Sequence, residues 1–494
     1  MKRLLLMLLT ALLILVCVLV GRTLLLPEAQ LNRGSVQLPA AIDAQRAAES
    51  LAAAIRLPNI SHQIGAPAAQ LEASQAAFAG LRQWLAERYP RVSQQLQMKE
   101  TGSQSLLLRW PGQNRQLPAV LLMAHQDVVP VVPGSEAQWT HPPFAGIIAD
   151  GHVWGRGAID TKGSLVAMLE ACEALLAQGF TPPRDVLLAF GHDEEIGGSG
   201  NRRLAAQLKA QGQRLAWVND EGGFIVRGQV PGVSQDVAVV GIAEKGYLSV
   251  LLKAKAQGGH SSQPQPFAET AVGRLSQALQ RIAAKPFSRD LEGPTRQLLD
   301  SVSPAQSFGY RMVFANLWLF APLVEQQMSV TPAGAAQLQT TLAPTLLRSG
   351  VKENVLPSEA RAILNLRLHP RDSIDSVLAH LREAVNDPLV TVQAMPGGRE
   401  ASKVSDAQGA AFQQFAEVIR QSFGNTLVAP NLTVGGTDSR SYEGLSDNIF
   451  RFSPLLMEPG DLARMHGDNE RVAITTLANA AGFYYRLLGN LKSE

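Results

Sequence analysis

Three short stretches constrain this chain more than any others: PAVLLMA from Pro118, DVLLAFG from Asp185 and LAWVND from Leu215. Each is apolar almost from end to end, without the alternation of a strand that has one wet face. Segments of helical texture, residues 164–178 and 201–211, separate them. Continuous apolar strands alternating with helices predict an α/β fold, a mostly parallel sheet covered by helices. Polar residues follow or close each run: His125 and Asp127 the first, Glu194 and Glu195 the second, Asp220 the third. In such sheets function gathers at the carboxyl ends of the strands. Two further segments add to the set, GRGAID ending at Asp160 and RMHGDNE with His466. Two histidines and four or five carboxylates are the inventory of a two-metal hydrolytic site.

A chain of 494 residues exceeds one ordinary domain. The net charge of +2 comes from scattered Lys and Arg, and no basic patch argues for a nucleic-acid partner. Cys17 lies in an apolar run and Cys172 in a helical segment, so no disulfide framework is expected. Lys2 and Arg3 precede apolar residues from Leu4 to Val20, long enough to cross a bilayer at about 1.5 Å per residue. The VLVGRTLLLPEA segment has no convincing small-residue cleavage site. We read residues 1–26 as an uncleaved signal-anchor, with the N-terminus cytoplasmic and the bulk outside; a cleaved secretion signal is the alternative. Residues 27–40 read as a linker.

The catalytic domain is expected over residues 41–240 and again over 391–494. Between them, residues 241–390 change texture. EKGYLSVLLKAKAQGGHSS alternates as an antiparallel strand does and ends in a Gly-Gly-His turn. Helical segments at 268–284 and 372–385, with strands in AAQLQTTLAPTLLRSG and SEARAILNLRLHP, complete an inserted, smaller α+β domain. Residues 286–334 match no recognisable pattern.

Residue by residue, His125 and Asp127 lie two apart on one face of an extended segment. The histidine can bind a metal while the aspartate holds its ring. Asp160, between a Gly-rich turn and a helix, is a ligand or an N-cap. Adjacent Glu194 and Glu195 at a strand end are costly unless cations lie near, and neighbouring side chains face different ways. Asp220 repeats the pattern, with Glu221 next to it as a rival. His62, His141, His152, His192, His369 and His380 are read as structural.

With the segments GRGAIDTKG, HDEEIGG and GGTDSR, the chain resembles the co-catalytic zinc aminoacylase and carboxypeptidase family from about Ala41 to the C-terminus. Within it the similarity is greatest to carboxypeptidase S and the N-fatty-acyl-amino-acid hydrolase/synthase type. The resemblance implies two Zn2+, with Co2+ or Mn2+ as alternatives, and assigns His125 and Asp220 to one ion and Glu195 and His466 to the other. Asp160 bridges them, and a cis peptide follows it. Asp127 orients His125. Glu194 is the general base, taking a proton from a metal-bridging hydroxide or water that attacks the amide and passing it to the leaving amine. His260, in GGHSS, would stabilise the oxyanion, across a homodimer interface formed by the inserted domain.

The substrates so implied are small peptides or N-acyl amino acids with a free carboxylate. Arg440 is the expected fork for that carboxylate, since arginine matches its geometry, and Asn354 in KENVLP the expected hydrogen-bonding partner. The rival from another class is a non-catalytic periplasmic metal-containing binding protein. An exopeptidase acting at the amino end would instead need an acidic anchor in place of Arg440.

Overall fold

The computed structural model describes every residue except Arg33, Ile64, 101–103 and Glu494, so parts of the expected linker and of the 41–240 segment lie outside the described residues. The three apolar stretches form the strands Ala119–His125, Val186–Gly191 and Leu215–Asp220 at the centre of a ten-stranded sheet. Ala119–His125 runs parallel to both of the others, and Ile449–Arg451 continues the parallel array beyond Leu215–Asp220. Nearly every residue of the three is buried, which is why the sequence shows no alternation there. On one face pack the helices Ala44–Ile55, Lys162–Ala177, Ala410–Phe423 and Ile474–Gly489. On the other lie Leu204, Ala205 and Leu208 of the helix Ser199–Ala210, with Tyr442 and Leu445.

The sheet is mixed toward its margins, which qualifies the mostly parallel expectation. Leu106–Trp110 pairs antiparallel with Val186–Gly191, and Asp236–Glu244 antiparallel with Ile225–Val226. The connection from Trp110 to Ala119 is too short for a crossover helix, so the direction must reverse.

A second sheet of four antiparallel strands, in the order Thr341–Ser349, Glu359–Leu368, Gly246–Lys255 and Val390–Ala394, forms the smaller domain. The helices Ala271–Ala284 and Ile374–Val385 cover one face and share its core. Burial along Gly246–Lys255 alternates residue by residue, as its sequence does. The large sheet keeps Asp236–Glu244 and the small sheet begins at Gly246, so Lys245 alone separates them on the outward crossing; the return crossing runs beside it, with the Ser402 N–H donating to the Glu244 carbonyl at 3.0 Å. The small sheet runs on through Val390–Ala394 to a bridge between Tyr247 and Arg399, past the expected boundary at 390.

Most of residues 286–334 is helical, in Gly293–Val302, Phe308–Ala315 and Leu317–Met328. Val302 packs on Val237, Leu427 and Ala429 of the parent domain. The stretch read as a strand from Ala335 starts instead within the helix Pro332–Leu338, and the strand begins at Thr341.

Candidate metal centre

His125 closes its strand with Nδ1 2.8 Å from the Asp127 carbonyl, an acceptor, so that nitrogen carries the proton. Its Nε2 is thereby turned to Asp160 Oδ1 at 2.9 Å and to Glu221 Oε1 at 3.5 Å. The other oxygen of Asp160, Oδ2, lies 3.0 Å from His466 Nε2, which is 3.3 Å from Glu195 Oε2. Two triads result, His125–Asp160–Glu221 and Asp160–Glu195–His466, each with donor atoms within 4.8 Å of one another. They share Asp160. The peptide after Asp160 is cis, as the resemblance implied.

Local backbone geometry sets each of these side chains. The buried Asp127 carboxylate accepts the backbone N–H groups of Glu194 and Glu195 at 3.2 and 3.1 Å and the Ser61 hydroxyl at 2.7 Å. It therefore fixes the turn carrying both glutamates, while its carbonyl holds the His125 ring. Gly197 and Gly198, which end that turn, both have positive φ, and a Cβ on Gly198 would meet the Asp438 carboxylate at 1.8 Å. His466 itself has φ 58 and is the most exposed of the five triad residues.

Glu470 is a positioning residue that the motifs did not single out. Fully buried, it accepts N–H groups of Gly157, Ile159 and Asp160 and pairs with Arg156 at 2.9 Å. One carboxylate thus holds the whole turn that presents Asp160. Its only sequence signal is its place four residues after His466.

The expected ligand Asp220 shares its corner with its neighbour Glu221. Asp220 Oδ2 accepts the Ser439 N–H at 2.8 Å, and it is Glu221, one residue on, that faces His125. Glu221 is the first residue past the strand Leu215–Asp220, where the chain bends, so its carboxylate turns toward His125 while Asp220 ends the strand beside it, close enough for the His125 charge to act on it. Arg440 is not free either. Its Nε lies 2.8 Å from Glu244 Oε1, and its Nη2 donates to the Glu400 carbonyl at 2.7 Å. Glu244 also pairs with Arg451 at 2.8 Å, so one carboxylate faces two guanidinium groups and the corner keeps a positive surplus. His260 and Asn354 belong to neither triad and lie beside each other. His260 pairs with Val355 in a short exposed ribbon, and the Ser261 N–H donates to the Asn354 carbonyl at 3.2 Å.

The electrostatics follow from packing acids and imidazoles together. Burial opposes a charge on His125, but Glu221 and hydrogen bonds to Asp127 and Asp160 outweigh it and set its pKa well above the usual histidine value. Burial pushes Asp160 upward, yet the two histidines bring it far below the ordinary carboxylate range. Hydrogen bonds to Asp160 and Glu195 raise His466 to about 10. Burial, then the charge of Glu221, raise Glu194 well above its ordinary value.

These residues fit divalent cations. Imidazole nitrogens and carboxylate oxygens are the donors that zinc and its neighbours take. Glu195 Oε1 is buried with no hydrogen-bond partner, an arrangement that is costly without a cation.

The family described as Peptidase family M20/M25/M40 matches residues 121–490. "Probable carboxypeptidase S-like 2" of Dictyostelium discoideum is 39% identical over 84% of this chain and 79% of its own length. "N-fatty-acyl-amino acid synthase/hydrolase PM20D1" of Mus musculus is 33% identical over 94% of this chain and 92% of its own. Among solved structures, the M20 family metallo-carboxypeptidase Sso-CP2 from Sulfolobus solfataricus superposes with a TM-score of 0.62 at 18% identity, over 90% of this chain and 98% of that one. The Bacillus subtilis YXEP protein, a dinuclear metal binding peptidase from the M20 family, does so with a TM-score of 0.55 at 14% identity, over 91% of this chain and 100% of that one. The Asp160 shared by the two triads, the central parallel strands behind it and these matches lead to one conclusion: the chain belongs to peptidase family M20/M25/M40.

Proposed function

We propose that this chain, a metal-dependent amide hydrolase by family, cleaves the amide bond next to a C-terminal free amino acid, in a small peptide or an N-acyl amino acid. The observation that carries the reading is the Asp160 carboxylate, each oxygen of which faces a different histidine. One cation would be held by His125, Asp160 and Glu221, the other by Asp160, Glu195 and His466. Zinc suits this donor set, with Co2+ or Mn2+ as substitutes. Such a pair supplies Lewis acidity and lowers the pKa of water.

The chain's own groups do the rest. Glu194 takes the proton of the attacking water and delivers it to the departing amine. Asp127 keeps His125 in one tautomer and one orientation. Arg440, in a corner with surplus positive charge, attracts the substrate carboxylate, and Asn354 and His260 approach the substrate from the small domain. The names of the relatives support a substrate ending in a free amino acid. The binding-protein alternative finds no support among them.

A homodimer is part of this reading. The strand Thr341–Ser349 lies at the edge of the small sheet and exposes Leu346 and Leu347, and an unpaired edge of this kind invites pairing with a second copy. So is anchoring through Lys2–Leu24, the helix long and apolar enough to span a bilayer, with the catalytic body outside the cytoplasm. Release by signal cleavage is the alternative.

The test is a panel of dipeptides and N-acyl amino acids assayed with Glu194→Ala beside the natural chain. The expected outcome is a loss of about 10²–10⁴ in kcat with metal content unchanged. Unchanged turnover would remove Glu194 from the mechanism.

A further inference from the structure

The N-terminal helix does not stand apart from the folded body. Its last turns pack on the helix Phe308–Ala315, burying Leu19 and Thr23. Arg22 Nε donates to the Ala315 carbonyl at 3.1 Å, and Asn316 Nδ2 to the Leu19 carbonyl at 3.1 Å. The contact sits inside the apolar stretch, and this fixes how deep the body must lie. From Leu4 to Val18 the helix is exposed except at Leu15, and this part covers only about 22 Å at about 1.5 Å per residue. A bilayer's hydrocarbon core is about 30 Å thick. The missing length must come from the turns packed on Phe308–Ala315, and past them Leu24 and Leu25 are again highly exposed. Any membrane this helix crosses therefore rises to the level of the helices beside it.

Those helices are dressed for that level. Phe308–Ala315 and Leu317–Met328 together expose Phe308, Tyr310, Trp318, Leu319 and Leu323. No charged residue occurs between Arg311 and Glu325. Arg311 reaches back to the Thr23 carbonyl at 3.4 Å. Exposed Trp and Tyr bordered by arginine, on short apolar helices, are the composition of the membrane–water interface.

We infer that the helices Phe308–Ala315 and Leu317–Met328 form a lipid-embedded foot, continuous with the N-terminal span, that docks the catalytic body flat on the bilayer. The inference rests on the anchored reading of residues 1–26. It gives a role to the segment for which the sequence offered no pattern.

Trp318 reports on it directly, because it is the tryptophan with an exposed ring; the others are buried or half-buried. The full-length chain is reconstituted in phosphatidylcholine–phosphatidylglycerol vesicles, washed with alkaline carbonate and floated. Tryptophan emission is then quenched by lipids carrying a doxyl group near the head of the acyl chain, and separately by acrylamide from the water. The expected result is lipid-borne quenching that falls at least two-fold in Trp318→Phe, with acrylamide quenching alike in both proteins. If the chain floats but Trp318→Phe leaves lipid-borne quenching unchanged and removes acrylamide quenching, Trp318 faces water. The foot is then refuted while the anchor stands. If the chain does not float after the wash, the anchor fails and takes the foot with it.

Discussion

The choice between Asp220 and Glu221 shows how fine the decisive detail is. Both are acids beside the same cluster, but only Glu221 faces His125, while Asp220 serves the Ser439 N–H. Glu221→Ala is expected to lose about one metal equivalent per chain, measured by elemental analysis after dialysis. Asp220→Asn, which keeps an acceptor for Ser439, is expected to retain both. His466 supplies a second outcome. In the metal-free chain its imidazole stays protonated up to about pH 10 because Asp160 and Glu195 hold the charge, whereas the unfolded value is near 6.5. Its charged contacts thus steady the metal-free fold below the unfolded value and fade as pH rises toward about 10. A cation needs the neutral ring, so metal uptake at pH 7.5 is expected to release protons. Calorimetry in buffers of different ionisation enthalpy should show this as a buffer-dependent heat, and metal affinity should climb with pH up to about 10. At this scale most of the site was legible, since His125, Asp160, Glu195 and His466 sit in motifs whose flanks announce them. The choice between Asp220 and its rival Glu221 was not, because the direction a side chain takes just past a strand end is decided by partners far along the chain, such as Ser439. Nor was Glu470, whose value lies in backbone groups more than 300 residues away.

Elements were read most securely where burial is two-sided. The three central strands and the helices Lys162–Ala177 and Ser199–Ala210 fall within a few residues of their expected places, because uninterrupted apolar runs and helical periodicity leave few alternatives. The marginal strands were harder, as pairing direction there depends on connection length. The segment 286–334 defeated pattern reading for another reason: Phe308–Ala315 and Leu317–Met328 carry large apolar side chains on exposed faces as well as on buried ones, so period and burial do not coincide there. The edge strand Thr341–Ser349 carries its own test. Leu347→Lys places a charge on the exposed edge, a recognised way to block edge-to-edge association. Sedimentation is expected to show monomers for this variant and dimers for the natural chain. Dimers in both would exclude this edge as the interface.

At the scale of the whole molecule, the cluster ties together segments from Ser61 to Glu470, so metal binding is coupled to the fold. Removing metal with a chelator is expected to lower the unfolding temperature. The stability difference should be about 2.7 kcal/mol when free metal stands at about a hundred times its dissociation constant, and calorimetric melts with and without added Zn2+ would measure it. The joint at Lys245 has a further mechanical meaning. On the outward crossing one residue connects the two sheets, its ammonium tethered to the Ala336 and Gln339 carbonyls at 3.0 and 2.7 Å, and the returning chain flanks it through the Tyr247–Arg399 bridge. From that joint the ten residues of Gly246–Lys255 extend as a stiff arm, about 34 Å long at about 3.4 Å per residue, and the loop bearing His260 hangs beyond its tip. Leverage does the rest. A rotation of about 10° of the small domain about this corner would carry the tip through about 6 Å on that length, so any such rotation is read out most strongly at the loop of His260.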